Sequence, residues 1–156
     1  MTTVAPQSEI TPKLVEALYL ESMGLADLAR QYFDVEGMED RNSLDPLARV
    51  TFSCESLKIT TRLMHVVAWL MVRKAVEAGE LTATEATQSA RRLGRATDVG
   101  GPDVRVDLLP LQARKLMAAS IDLYDRVKRL DAQIGGDGPD ASDDARALLD
   151  RLRASI

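Results

Sequence analysis

The side chains capable of chemistry are few and scattered. His65 and Cys54 are the single histidine and the single cysteine. A metal site built on helices draws on several ligands, often as Glu-x-x-His pairs. The residue three before His65 is Arg62, so His65 reads as a core or partner-facing residue. Cys54 has neither a second cysteine nor a neighbouring histidine to stabilise a thiolate and reads as a buried, inert thiol. A chain with one cysteine forms no internal disulfide, which suits a reducing cytoplasm. Thr60, Thr61 and Arg62 form a candidate phosphosite. The competing reading is structural: the Thr61 hydroxyl rests on a carbonyl of the preceding turn, and Arg62 pairs with Asp125 or Asp131. Glu36, Glu39 and Asp40 are loop carboxylates without a histidine partner. The chain lacks a phosphate loop, a dinucleotide fingerprint, a nucleophile elbow and a CxxC pair. No catalysis, metal or cofactor is expected.

Arg91, Arg92 and Arg95 are the one basic cluster beside a predicted short helix, and they offer an alternative reading as a DNA-binding regulator. The formal net charge of −4 argues against it, because phosphate recognition needs a concentrated basic face. Glu80, Glu85 and Asp98 also flank the cluster.

These residues need elements to position them, and composition points to helices. The chain has 156 residues, enough for one domain, with 46% hydrophobic but only 4% aromatic residues. The core must therefore be aliphatic, which favours helices over a sheet. The central element spans 45–78. Asp45 caps it, Pro46 opens it and Gly79 ends it; about 33 residues make a rod of roughly 50 Å. One stripe on it runs Leu47, Val50, Cys54, Leu57, Thr61, Met64, Ala68, Met71, Ala75, alternating steps of 3 and 4. A second runs Phe52, Ile59, Leu63, Val66, Leu70. A helix apolar on two sides must be covered twice, by this chain or by a second copy. The dimer or core seam is accordingly assigned to Leu57, Thr61, Met64, Ala68, Met71, Leu63 and Leu70. Arg62, His65, Trp69, Tyr124 and Arg129 are candidate partner-binding residues. The apolar run 64–72 is too short for a membrane span, which takes roughly 20 residues, and no signal peptide is evident.

Residues 1–10 read as a flexible N-terminus and 11–135 as a helical bundle. Thr11 and Pro12 start a first helix that ends near Asp34–Glu36, with Leu14, Leu18, Leu25, Leu28 and Tyr32 on one face. Gly24 in that helix could allow close approach to the second. Residues 36–44 read as a polar loop. Thr82 and Glu85 form a capping box for a short helix to about Leu93. Residues 94–108 read as a loop. Pro110 opens a third long helix with the seam Leu116, Ser120, Leu123, Val127, Leu130, Ile134, stopped by Gly135-Gly136. Residues 136–156 read as an acidic linker and a short amphipathic segment, whose Leu148, Leu149, Leu152 and Ile156 make a candidate docking arm. The expected fold is all-α: an up-down-up bundle of three long helices, with a short extra helix in the second connection and a flexible C-terminal tail.

The run Glu55-Ser-Leu-Lys-Ile-Thr-Thr-Arg-Leu-Met-His-Val-Val-Ala-Trp-Leu resembles the signature of the alphaproteobacterial family that includes the regulator of CtrA degradation (RcdA). Gly79-Glu-Leu-Thr82, Leu109-Pro-Leu111 and Ser120-Ile-Asp-Leu-Tyr-Asp-Arg-Val-Lys-Arg-Leu-Asp131 agree with it in order. The resemblance covers most of 14–131. It implies a helical homodimer that acts as a non-catalytic adaptor, helping to deliver cell-cycle regulators to the ClpXP protease with a response-regulator partner. Protease unfoldase, response-regulator-type proteins and cargo regulators are the expected partners. No membrane is expected, and nucleic acid is disfavoured.

Overall fold

A computed structural model describes residues 10–94, 105–135 and 150–154. Expectations for residues 1–9, for 95–104 with Arg95, for the linker and arm over 136–149 with Leu148 and Leu149, and for Ile156 lie outside the described residues.

Helix α1 is Pro12–Gln31. Its start follows the sequence: Thr11 accepts the Leu14 amide on its hydroxyl at 3.1 Å, with proline at the first helical position. The chain then passes through a π turn, Tyr32–Glu36, directly into α2, Gly37–Asn42. The expected polar loop over 36–44 is therefore mostly helical. The π turn adds a residue to the winding and lets Tyr32 and Phe33 both reach the start of the next long helix. The ring centroids of Phe33 and Phe52 lie 5.1 Å apart, and those of Tyr32 and Phe52 6.0 Å. The Tyr32 hydroxyl donates to Asp40 at 2.7 Å.

Helix α3, Pro46–Glu77, is one unbroken rod. The Asp45 carboxylate caps it by accepting the Ala48 amide at 2.9 Å. Gly79, at φ +77°, supplies the left-handed exit that a β-carbon would disfavour. Helix α4 is only Ala83–Ala86, followed by a 3-10 turn at Ser89–Arg91. The expected helix to Leu93 is thus cut short. The capping box is half formed: Thr82 accepts the Glu85 amide at 3.1 Å, while the Glu85 carboxylate takes the Thr82 hydroxyl instead of a backbone amide. A 3-10 turn at Val106–Leu108 precedes α5, Leu111–Gly135.

The three long helices pack around an aliphatic core in which Val15, Ile59, Val66, Leu70, Leu123 and Val127 are completely buried. Their directions depart from the expected up-down-up order. Helix α1 runs antiparallel to α3: Glu16 meets Lys74 at one end, and Phe33 meets Phe52 at the other. Helix α5, however, runs parallel to α3. Arg62 reaches Ser120, and Trp69, further along α3, reaches Asp131, further along α5. The order is up-down-down. The reason is the length of the second connection: short loops force antiparallel neighbours, whereas a long crossover lets the chain return and start again at the same end.

Two tests follow. A β-carbon on Gly37 would lie 2.5 Å from the Tyr32 carbonyl oxygen, so Gly37→Ala must shift the π turn. A loss of about 1–3 kcal/mol is expected in urea unfolding. Burial, and then Asp40, hold the Tyr32 phenol protonated above its ordinary value of 10.0. A raised pKa contributes stability that is complete below the unfolded value and fades as the pH climbs past it. Unfolding curves should therefore weaken above about pH 10, and Tyr32→Phe should remove that part of the dependence.

Candidate interaction site

The second stripe read from the sequence is the inner one. Phe52, Ile59, Leu63, Val66 and Leu70 are all buried against α1 and α5. The first stripe faces outward: Leu47 is 67% exposed, Val50 61%, Leu57 62%, Met64 65% and Met71 51%. Ala68 is exposed and Thr61 half-exposed. The Thr61 hydroxyl donates to the Leu57 carbonyl at 2.9 Å, as a structural threonine would. Cys54, expected to be buried, is exposed on this same side. From Val50 to Met71 the exposed positions of α3 are Val50, Ser53, Cys54, Leu57, Thr60, Met64, Ala68 and Met71, none of them charged. That is a neutral, mostly aliphatic face roughly 32 Å long.

A groove runs along each side of this ridge. One, about 530 Å³, lies between α3 and α1, with Ala26, Ala29, Phe33, Leu63 and Val67 in its walls and Arg30 and Asp34 among its lining residues. The other, about 310 Å³, lies between α3 and the 90–94 segment, lined by His65, Trp69, Val72 and Arg91 among others. Met64 and Ala68 border both.

The second groove is held by one carboxylate. Asp131 Oδ1 accepts from Trp69 Nε1 at 2.9 Å, Arg92 Nε at 2.8 Å and the Leu93 amide at 3.3 Å. Its Oδ2 accepts from Arg92 Nη2 at 3.2 Å. The Tyr124 hydroxyl donates to the Gly94 carbonyl. A β-carbon on Gly94 would overlap the His65 ring, so this glycine is what lets the 90–94 segment lie flat on α3 as a strap. The strap was invisible in the sequence. The available signal was physical: a buried tryptophan N–H needs an acceptor, and a carboxylate on another helix is a strong one.

The candidate partner residues therefore divide. Trp69 and Tyr124 are each 3% exposed and Arg62 is 7% exposed, so they belong to the interior. His65 is half-buried beside the strap, and Arg129 is exposed. Arg62 does not pair with Asp131, which Trp69 and Arg92 occupy; its Nη1 donates to the Ser120 hydroxyl at 3.3 Å. Burial pulls its guanidinium below the ordinary arginine value, opposed by the charges of Glu55 and Asp125. Arg91 folds back on its own segment, and Arg92 turns inward. Arg91 donates to the Glu85 carbonyl and to Gln88 at 3.1 and 2.9 Å, and Arg92 is committed to Asp131. With α4 only four residues long, a recognition helix is lacking among the described residues. Leu152 of the proposed arm is 58% exposed in the 150–154 helical turn. Among the described residues no three metal-ligating side chains gather, and no helix is long and apolar enough to cross a membrane.

Removing the Asp131 carboxylate leaves the buried Trp69 indole without its acceptor and takes from Arg92 its charge partner. Asp131→Ala should cost about 3 kcal/mol and shift the Trp69 emission to the red as water reaches the ring. An unchanged spectrum and melting curve would contradict the strap.

A family model described as "Protein of unknown function (DUF1465)" matches residues 7–156. The fold is similar to the crystal structure of RcdA from Caulobacter crescentus CB15, with a TM-score of 0.66 and 29% sequence identity, over 83% of this chain and 97% of that one. No curated protein matches.

Proposed function

This chain belongs to the DUF1465 family of proteins of unknown function, and on that premise we propose that it is a non-catalytic, homodimeric adaptor that assists regulated proteolysis. The observation that carries the reading is the charge-free face of α3 from Val50 to Met71. A soluble chain does not leave a continuous aliphatic face of this length to water without a use. The absence of charge suits a copy of itself, because a two-fold contact lays the same patch against itself and no like charges then meet. The likeness to RcdA and the signature around Thr60-Thr61-Arg62 support cargo delivery to the ClpXP protease in the cytoplasm, with a response-regulator-type partner. In that role the protein works by effective concentration: one surface holds cargo, another holds the primed unfoldase, and the adaptor breaks no bond.

Two measurements test this. Sedimentation should give twice the chain mass of 17.1 kDa, and Met64→Glu, at a position 65% exposed, should halve it without loss of helicity. Adding the protein to purified ClpXP with a cell-cycle regulator as cargo should speed cargo loss several-fold. A wild-type monomer at micromolar concentration, or an unchanged degradation rate, would overturn the corresponding half of the proposal.

A further inference from the structure

The outer side of α1 carries another exposed aliphatic row, separate from the α3 face. Leu20 is 62% exposed and Leu28 54%; past the π turn, Val35 is 70% and Met38 41% exposed. Leu28 was expected to share the inward face with Leu18 and Tyr32; Ala29 is buried in its place. None of these four residues lines either groove of α3. Between the two leucines, one turn from each, stands Gly24. Glycine is the poorest helix former after proline, and close approach to α3 does not explain it here: a β-carbon on Gly24 would meet nothing within 4 Å. A notch between two exposed leucines is the relief into which a ridge on a crossing helix fits.

Charge identifies the visitor. Glu16, Glu21, Asp27, Glu36 and Glu39 are exposed along this part of the chain and outnumber the exposed bases Lys13, Arg30 and Arg41. Arg30 stands 3.7 Å from Asp27, and Arg126 of α5 pairs with Glu21; the acids at 36 and 39 extend the row beyond both. A second copy of this chain would set acids against acids across a two-fold axis, the reverse of the α3 face.

We infer that the Leu20–Gly24–Leu28 face of α1, continued by Val35 and Met38, docks a basic amphipathic helix of a partner protein. A bulky apolar residue of that helix sits over Gly24, and its lysines or arginines lie along the acidic row. This surface stands whether or not the chain serves a protease, since its test involves neither protease nor cargo.

The test is fluorescence anisotropy on the full chain with a labelled Leu/Lys amphipathic helical peptide of about 18 residues, five turns long, and with its Leu/Glu counterpart. The Leu/Lys peptide should bind at least about tenfold tighter than the Leu/Glu peptide, and less tightly as salt rises. Gly24→Leu fills the notch without touching the bundle. It should weaken the Leu/Lys peptide about tenfold while leaving the sedimented mass unchanged and the melting temperature unchanged or higher. Glu36→Lys should weaken binding in the same direction. Equal binding by wild type and Gly24→Leu would overturn the inference. So would equal affinity for the two peptides, a lower sedimented mass for Gly24→Leu, which would make the face a self-contact, or a lower melting temperature, which would place Gly24 in an internal contact.

Discussion

The parallel alignment of α3 and α5 governs the rest of the molecule. Two neighbouring helices that point the same way cannot be joined by a tight turn, so the chain must travel back along the bundle before α5 begins. That return path would be costly to hold as free loop. Here it is tied to the helices it crosses by one carboxylate, Asp131, which takes the Trp69 indole, the Arg92 guanidinium and the Leu93 amide together. The hydrogen bond from Tyr124 to Gly94 adds a second tie. The strap then covers the indole and half-covers His65, so a segment without regular structure closes one side of the core.

The interior shows how an aliphatic bundle keeps its register. Leucine and valine packing is permissive, and many sliding arrangements of three such helices bury similar area. A polar layer breaks that degeneracy. Ser22 and Ser120 are fully buried, and Glu55 and Arg62 nearly so. Ser22 satisfies itself on the Leu18 carbonyl at 2.7 Å, and Arg62 reaches across to Ser120. A shift of α5 by one turn would take Ser120 away from the buried Arg62 and Asp131 away from the buried Trp69, which costs more than the packing could return. Specificity of arrangement, more than stability, is what such a layer contributes. On the outside the two free faces differ in kind: α3 presents aliphatic side chains without charge, and α1 presents aliphatic side chains beside an acidic row.

Much of the architecture was legible in the sequence because it is written in local chemistry. Thr11-Pro12 and Asp45-Pro46 each pair a hydroxyl or carboxylate cap with a proline at the first position, and both helices start there. Gly79 ends α3 for a reason internal to its own backbone. The 4-3-4 spacing of Leu116, Ser120, Leu123 and Val127 predicts an inward face, and all four are buried. Where local signals misled, a distant contact had intervened. The polar run after Glu36 winds on as helix because the aromatic rings of the π turn lock onto Phe52. The segment after α4 departs from helix where Arg92 and Leu93 are drawn to Asp131.

The sequence by itself determined that the long central helix has two apolar sides, since that follows from which residues recur every three or four positions. It could not decide which side faces inward, because Leu57 and Leu63 are equally greasy and only the placement of α1 and α5 separates them. The tertiary structure also decided the direction of α5 and the fates of Trp69, Tyr124 and Arg62. All three have the chemistry of partner-binding residues, and each is buried because a neighbour 30 to 62 positions away in the chain supplies its hydrogen-bond partner. Periodicity is a property of one helix, whereas burial is a property of the helices that meet it.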